Sequence, residues 1–137
     1  MIDSKIVKFI GRHHVMTLAT VDRDGAPYCS NAFYSYDPDR EVIIFTSGLE
    51  TAHASHMEMS PKVALSIVLE TKIVGKIQGL QITGRVERGD ERDRESYIKA
   101  FPYAAVAPLT LWRVEMDFVK LTDNRLGFGK KLIWRRE

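Results

Sequence analysis

The stretch Phe45-Thr46-Ser47-Gly48-Leu49-Glu50-Thr51-Ala52-His53 leaves a β-branched run, passes a glycine and enters a helical pattern. A helix N-terminus exposes unpaired N–H groups and a partial positive charge, so it attracts phosphate. Thr46, Ser47 and Thr51 can donate hydrogen bonds there, and His53 can do so whether neutral or charged. A plainer reading has Thr51 as a helix cap and His53 on the surface, and spacing alone favours it.

A second candidate is Gln78-Gly79-Leu80-Gln81-Ile82-Thr83-Gly84. In a strand, Gln81 shares a face with Gly79 and Thr83, opposite Leu80 and Ile82. A glutamine so placed can pair with a heterocycle edge through one donor and one acceptor, and the glycines let a ligand approach. Curvature of a barrel explains both glycines equally well. The third candidate is the ending Thr122-Asp123-Asn124-Arg125-Leu126-Gly127-Phe128-Gly129-Lys130-Lys131-Leu132-Ile133-Trp134. It sets an aromatic between glycines beside two lysines, without the spacing of a Walker loop.

Metal chemistry has little to stand on. His53 and His56 lie three apart on one prospective helix, with no third ligand nearby. In a strand, His13 and His14 would point to opposite faces, one buried and one exposed, which reads as structural. Cys29 is the one cysteine, so an intramolecular disulfide and a cysteine cluster are excluded.

The elements that must position these groups follow from hydrophobic period and breakers. Ser4 is the expected cap of a first helix carrying Ile6, Phe9 and Ile10 on one stripe, with Gly11 near its end. Strands are expected at 15–21, 26–36 and 41–46, the first two joined by the turn Asp22-Arg23-Asp24-Gly25. A helix over 51–59, stopped by Pro61, precedes strands at 62–69 and 76–87. Asp90 caps a helix to about Ala100, residues 101–108 are irregular, and strands at 110–121 and 128–135 close the chain. The mixed charges of residues 85–95 read as a solvated face. This order suits a mainly β fold, an antiparallel barrel with flanking helices, rather than a doubly wound parallel sheet.

The chain has 137 residues, 45% of them apolar and 28% charged, which fits one globular domain. Its apolar runs are too short to span a bilayer, and residues 1–10 read as an amphipathic helix rather than a signal peptide, so the cytoplasm is expected. Net charge is +2, yet from Lys120 onward six cations face two acids. That cationic tail suits an anionic ligand or simple solubility. Aromatics beside cations also occur on single-stranded nucleic acid platforms, but so small a net charge argues against nucleic acid.

The run Val15-Met16-Thr17-Leu18-Ala19-Thr20-Val21-Asp22-Arg23-Asp24-Gly25-Ala26-Pro27 resembles the opening hairpin of the pyridoxamine 5′-phosphate oxidase-like FMN-binding split barrels. Phe45-Thr46, Thr51-Ala52-His53 and Ser60-Pro61-Lys62-Val63-Ala64 are similar to that superfamily's phosphate loop and following strand. Residues 122–134 closely resemble the ending of its small bacterial YhbP-like (UPF0306) family. The resemblance implies a split β-barrel and a homodimer with FMN at the subunit interface. It places the FMN phosphate at Thr46, Thr51 and His53, with Ser47 among them, and the flavin ring along Ser30, Asn31, Ala32 and Phe33. It puts Gln81 near the place of a flavin-edge glutamine. A lysine is usual at the His53 position, so one permanent charge is absent, and Lys130 or Lys131 is the expected compensation, with Trp134 closing that segment.

The resemblance also implies an oxidoreductase acting on a small molecule, with NAD(P)H a possible electron donor. A carrier of flavin or haem without turnover is the alternative. A true pyridoxamine phosphate oxidase is not expected, because the substrate-gripping arginines of that enzyme's C-terminal segment are lacking.

Overall fold

The computed structural model describes residues 2–127 and 129–137; Phe128, singled out above, lies outside them. Ten helices and strands follow in the order α1 (Ser4–Arg12), β1 (Val15–Val21), β2 (Pro27–Asp37), β3 (Val42–Thr46), α2 (Ala52–Met59), β4 (Lys62–Leu69), β5 (Gln78–Arg88), α3 (Glu91–Ala100), β6 (Leu111–Asp123) and β7 (Lys131–Arg135). Among the described residues no helix is long and apolar enough to cross a membrane.

Every strand pairing is antiparallel, in the order β3-β2-β1-β4-β5-β6-β7. A further pairing of β3 with β6 closes six of the strands into a barrel. Strand β6 is long enough to serve two neighbours on one edge. Its first half, Leu111 to Glu115, pairs with β3, and its second half, Phe118 to Thr122, pairs with β7. The expected mainly β barrel is therefore what the sequence folds into.

Alternation decides which side chains fill it. Met16 and Leu18 of β1, Val63, Leu65 and Ile67 of β4 and Leu80 and Ile82 of β5 point inward and are buried. Helix α1 plugs one end with Ile6, Phe9 and Ile10, all fully buried and spaced for one helical face. Burying three such side chains contributes about 2 kcal/mol each.

Turn chemistry sets the register. In the β1–β2 connection the Asp22 carboxylate accepts from the N–H groups of Asp24 at 2.8 Å and Ala26 at 2.9 Å, while Gly25 takes φ 83°. The β5–β6 ladder shifts register between Thr83 and Gly84, and a β-carbon on Gly84 would run into the Glu115 carbonyl. Gly84 is thus the glycine that barrel curvature requires.

Several boundaries differ from expectation for local reasons. Asp3, not Ser4, caps α1, its carboxylate accepting from Lys5 N at 2.8 Å. Residues 74–76 form a short 3-10 turn, so β5 begins at Gln78. Another 3-10 turn, Pro102–Val106, occupies the segment expected to be irregular. The largest correction concerns residues 85–95. Asp93 in that run is fully buried, with Arg40 Nη2 at 2.8 Å and Arg113 Nη1 at 2.6 Å from its two oxygens. Arg113 of β6 and Arg40 of the β2–β3 turn thus clamp α3 against β2, β3 and β6, and Asp90 and Asp93 complete a capping box.

Candidate functional site

Strand β3 ends at Thr46, and the chain crosses to α2 through residues 47–51. Two hydrogen bonds to β6 and its approach hold the crossing: Ser47 N to Thr110 O at 3.0 Å, and Trp112 Nε1 to Ser47 O at 3.0 Å. Thr51 caps α2, accepting from Ala54 N at 3.2 Å while its hydroxyl donates to Gly48 O at 2.9 Å. The cap reading of Thr51 is therefore correct, and it does not remove Thr51 from the cluster. The Ser47 hydroxyl, in a residue only 9% exposed, lies 3.2 Å from Thr51 Oγ1 and also bonds His53 Nε2. Three of the four proposed phosphate contacts thus converge on one point at the mouth of α2. Thr46 is partly buried one residue upstream, in register with Leu111.

The electrostatics of this point are mild. Burial holds the His53 imidazole below its ordinary value, and His56 adds to the effect. At neutral pH it is therefore uncharged, with one donor and one acceptor nitrogen. Ser47 and His53 make a hydroxyl–imidazole contact, but among the described residues no carboxylate bonds the other ring nitrogen to orient it for nucleophilic work. The Glu50 carboxylate folds over Gly48, where a β-carbon would collide with it. An arriving dianion must displace that acid and draw the hydroxyls from one another. Fit to a phosphate is therefore good in donors and short of one permanent cation.

Lys130 and Lys131 cannot supply that cation within the same chain. Lys131 pairs with Thr122, near one end of β6, whereas Thr46 pairs with Leu111 at the other. Eleven residues of extended chain separate the two ends, on the order of 35 Å along the strand. Trp134 pairs with Val119 and packs partly buried against the barrel core.

On the outer wall, register brings together residues that sequence order scatters. Asn31, Thr17, Ser66, Gln81 and Lys120 stand side by side on β2, β1, β4, β5 and β6. Thr17 Oγ1 donates to Asn31 Oδ1 at 3.1 Å. The neighbouring row is Cys29, Ala19, Ala64 and Thr83, small side chains that leave this part of the wall flat before Phe118 ends the row on β6. Gly79 beside Gln81 has open space, since a β-carbon there would touch nothing nearer than Gln81 Nε2 at 3.5 Å. Strand alternation divides the four β2 residues expected along the ring. Asn31 and exposed Phe33 face out, whereas Ser30 and Ala32 pair with the inward Leu18 and Met16. The Ser30 hydroxyl is buried with no partner among the described residues.

The remaining histidines are placed as follows. His56 Nδ1 lies 2.8 Å from Thr20 Oγ1 on β1, with its ring edge-on to Tyr28. His13 and His14 precede β1, half-buried and exposed, and both line a groove between α1 and α3. Among the described residues no three His, Cys, Asp or Glu side chains gather as a metal site. Sequence reasoning missed Trp112, which fixes Ser47, and Thr20, which fixes His56. Neither carries a local signal, because both act across strands distant in sequence.

A family model described as pyridoxamine 5′-phosphate oxidase matches residues 2–122. A UPF0306 protein of Klebsiella pneumoniae is 40% identical over 136 residues, covering 96% of this chain and 92% of that one. Among solved structures, a heme binding protein from Mycobacterium smegmatis superposes with a TM-score of 0.79 at 16% identity, covering 98% of this chain and 59% of that one. A FAD-binding protein from Mesorhizobium loti gives 0.72 at 17% identity, covering 88% and 92%.

Proposed function

The chain belongs to the pyridoxamine 5′-phosphate oxidase family, in its UPF0306 branch, and from that premise we propose that it is a flavoprotein binding FMN between two copies of itself. The observation that carries this reading is the convergence of Ser47, Thr51 and His53 on one point at the N-terminus of α2. The Ser47 hydroxyl, an imidazole and the helix N–H groups form a donor set suited to a phosphate, which the Thr51 hydroxyl joins on releasing Gly48 O. The outer wall, with its polar row from Asn31 to Lys120 beside the small side chains of Cys29, Ala19, Ala64 and Thr83, suits a planar ring and a second protomer. Gln81 is exposed there, with the open flank of Gly79 to admit the ring edge. Lys130 and Lys131 of the second copy are the cations available to complete the phosphate's charge.

When bound, FMN supplies the redox chemistry; the protein binds, orients and sets the electrostatics around it. We propose an oxidoreductase of a small molecule, with NAD(P)H as a candidate donor, working in the cytoplasm, where an exposed thiol such as Cys29 stays reduced. The test is to purify the chain, add FMN and follow flavin absorbance and oligomeric state together. Retained flavin on a dimer, bleached by NADH or NADPH, supports the reading. A monomer that takes up no flavin at micromolar concentration overturns it.

Binding without turnover is the second reading. It is favoured by the solved neighbours described as heme-binding and FAD-binding, and by the lack of an oriented acid–base group at His53 among the described residues. Flavin that binds but is not reduced by either nicotinamide selects it.

A further inference from the structure

A groove of about 800 Å³ runs between α1 and α3, and it contains none of the residues assigned to flavin. Its floor is β2. Strand β1 stops at Val15 opposite Phe33, and the last bond across is Tyr34 N to His14 O at 3.0 Å. Beyond that point residues 35–37 keep β3 on one side and have no strand on the other. An unpaired strand edge offers an alternating N–H and C=O to an extended ligand.

Two side chains of this floor are unsatisfied. Ser35 is 5% exposed, and among the described residues neither its hydroxyl nor the buried Tyr36 hydroxyl has a partner. Leaving a buried hydroxyl unpaired is costly, so such groups commonly mark a missing ligand or water. The walls add charge of both signs. Arg92, Glu95 and Lys99 line the α3 side, and none of them lies in an ion pair within 4.0 Å among the described residues. Asp39 lines the groove too, while Asp37 is taken by Arg40 at 2.7 Å. Phe101 supplies an apolar patch and His13 a second ring.

We propose that this groove binds a short extended peptide with free termini, which adds a strand segment to the open edge of β2. A free edge of three residues spans roughly 10 Å, the length of a tripeptide. The open main chain of residues 35–37 meets its backbone, with the Ser35 and Tyr36 hydroxyls beneath it on opposite faces of β2, while Lys99 and Arg92 meet its carboxylate and Glu95 or Asp39 its ammonium. Equal numbers of unpaired cations and anions at the rim match a zwitterion better than a phosphate or a polyanion.

The test uses the full chain, labelled for amide NMR and titrated with the tripeptide Ala-Val-Ala. A second titration uses the same peptide acetylated and amidated. The free peptide is expected to shift the amides of residues 35–37 and 99 with a millimolar dissociation constant, and the blocked peptide to bind at least fivefold more weakly. Lys99→Glu is expected to weaken the free peptide at least fivefold. Ser35→Ala is expected to weaken it while raising the melting temperature of the unliganded chain by a few degrees, because an unpaired buried hydroxyl is removed. Shifts confined to other surfaces, equal binding of the blocked peptide, or unchanged affinity in both variants overturns the proposal.

Discussion

His56 on α2 and Thr20 on β1 are joined by a 2.8 Å hydrogen bond between Nδ1 and Oγ1, and Thr20 is 2% exposed. The helix that carries His53 is therefore pinned to the barrel by a different histidine one turn later. His56→Ala leaves the Thr20 hydroxyl buried without its partner, and we expect a loss of about 1–2 kcal/mol. Urea denaturation of the variant measures it. A variant as stable as the parent removes the pin from the account.

His53 itself separates charge from geometry. His53→Ala is expected to weaken FMN binding, and His53→Lys to tighten it about tenfold by supplying the absent permanent cation. Fluorescence titration of FMN against both variants reads the effect. Equal affinities would place the phosphate elsewhere.

The pH dependence carries two opposite signs. Burial, before any neighbouring charge, holds His13 and His53 below the ordinary value of 6.5. Each binds a proton less readily in the folded chain than in the unfolded one. As pH falls below 6.5 the unfolded state takes up more protons, so stability without ligand declines through that window and is level above it. FMN affinity runs the other way, since a protonated His53 attracts phosphate. Denaturation and flavin titration from pH 7.5 to about 5 check both slopes, and His53→Gln should flatten the second.

Asp93→Ala removes the carboxylate that two arginines share and leaves Arg40 and Arg113 without it in a mostly buried setting. Such a break costs about 3–5 kcal/mol. Asp93→Asn keeps the volume and part of the bonding, so it should cost less. Loss of helical circular dichroism ahead of the barrel's unfolding would locate the damage in α3.

Ala64→Arg places a charge on the flat outer wall between Ala19 and Thr83. Because Ala64 points away from the barrel core, the fold should persist while the dimer dissociates and flavin is lost with it. Light scattering and flavin absorbance on one sample test this. A flavin-loaded dimer of the variant would move the interface to another face.

The strands were legible because Val15–Val21 and Lys62–Leu69 alternate cleanly and Gly25 and Pro61 punctuate them. The cluster at α2 was legible because its members lie within one short segment. The rest depends on register. Nothing near Asp93 in sequence announces that Arg40 and Arg113 meet it, so a charge-dense run read as solvated conceals a buried acid. Likewise the division of Ser30 and Ala32 from Asn31 and Phe33 follows from pleat, and the row from Asn31 to Lys120 exists only once five strands are aligned.

The shared edge of β6 has a structural corollary. Because β3 occupies the first half and β7 the second, the closing seam of the barrel does not include the tail strand. The tail acts as a cover strip over what would otherwise be a bare, sticky margin. Its own outer margin, Lys131 to Arg135, is guarded by exposed cations at both ends that discourage stacking into longer ribbons.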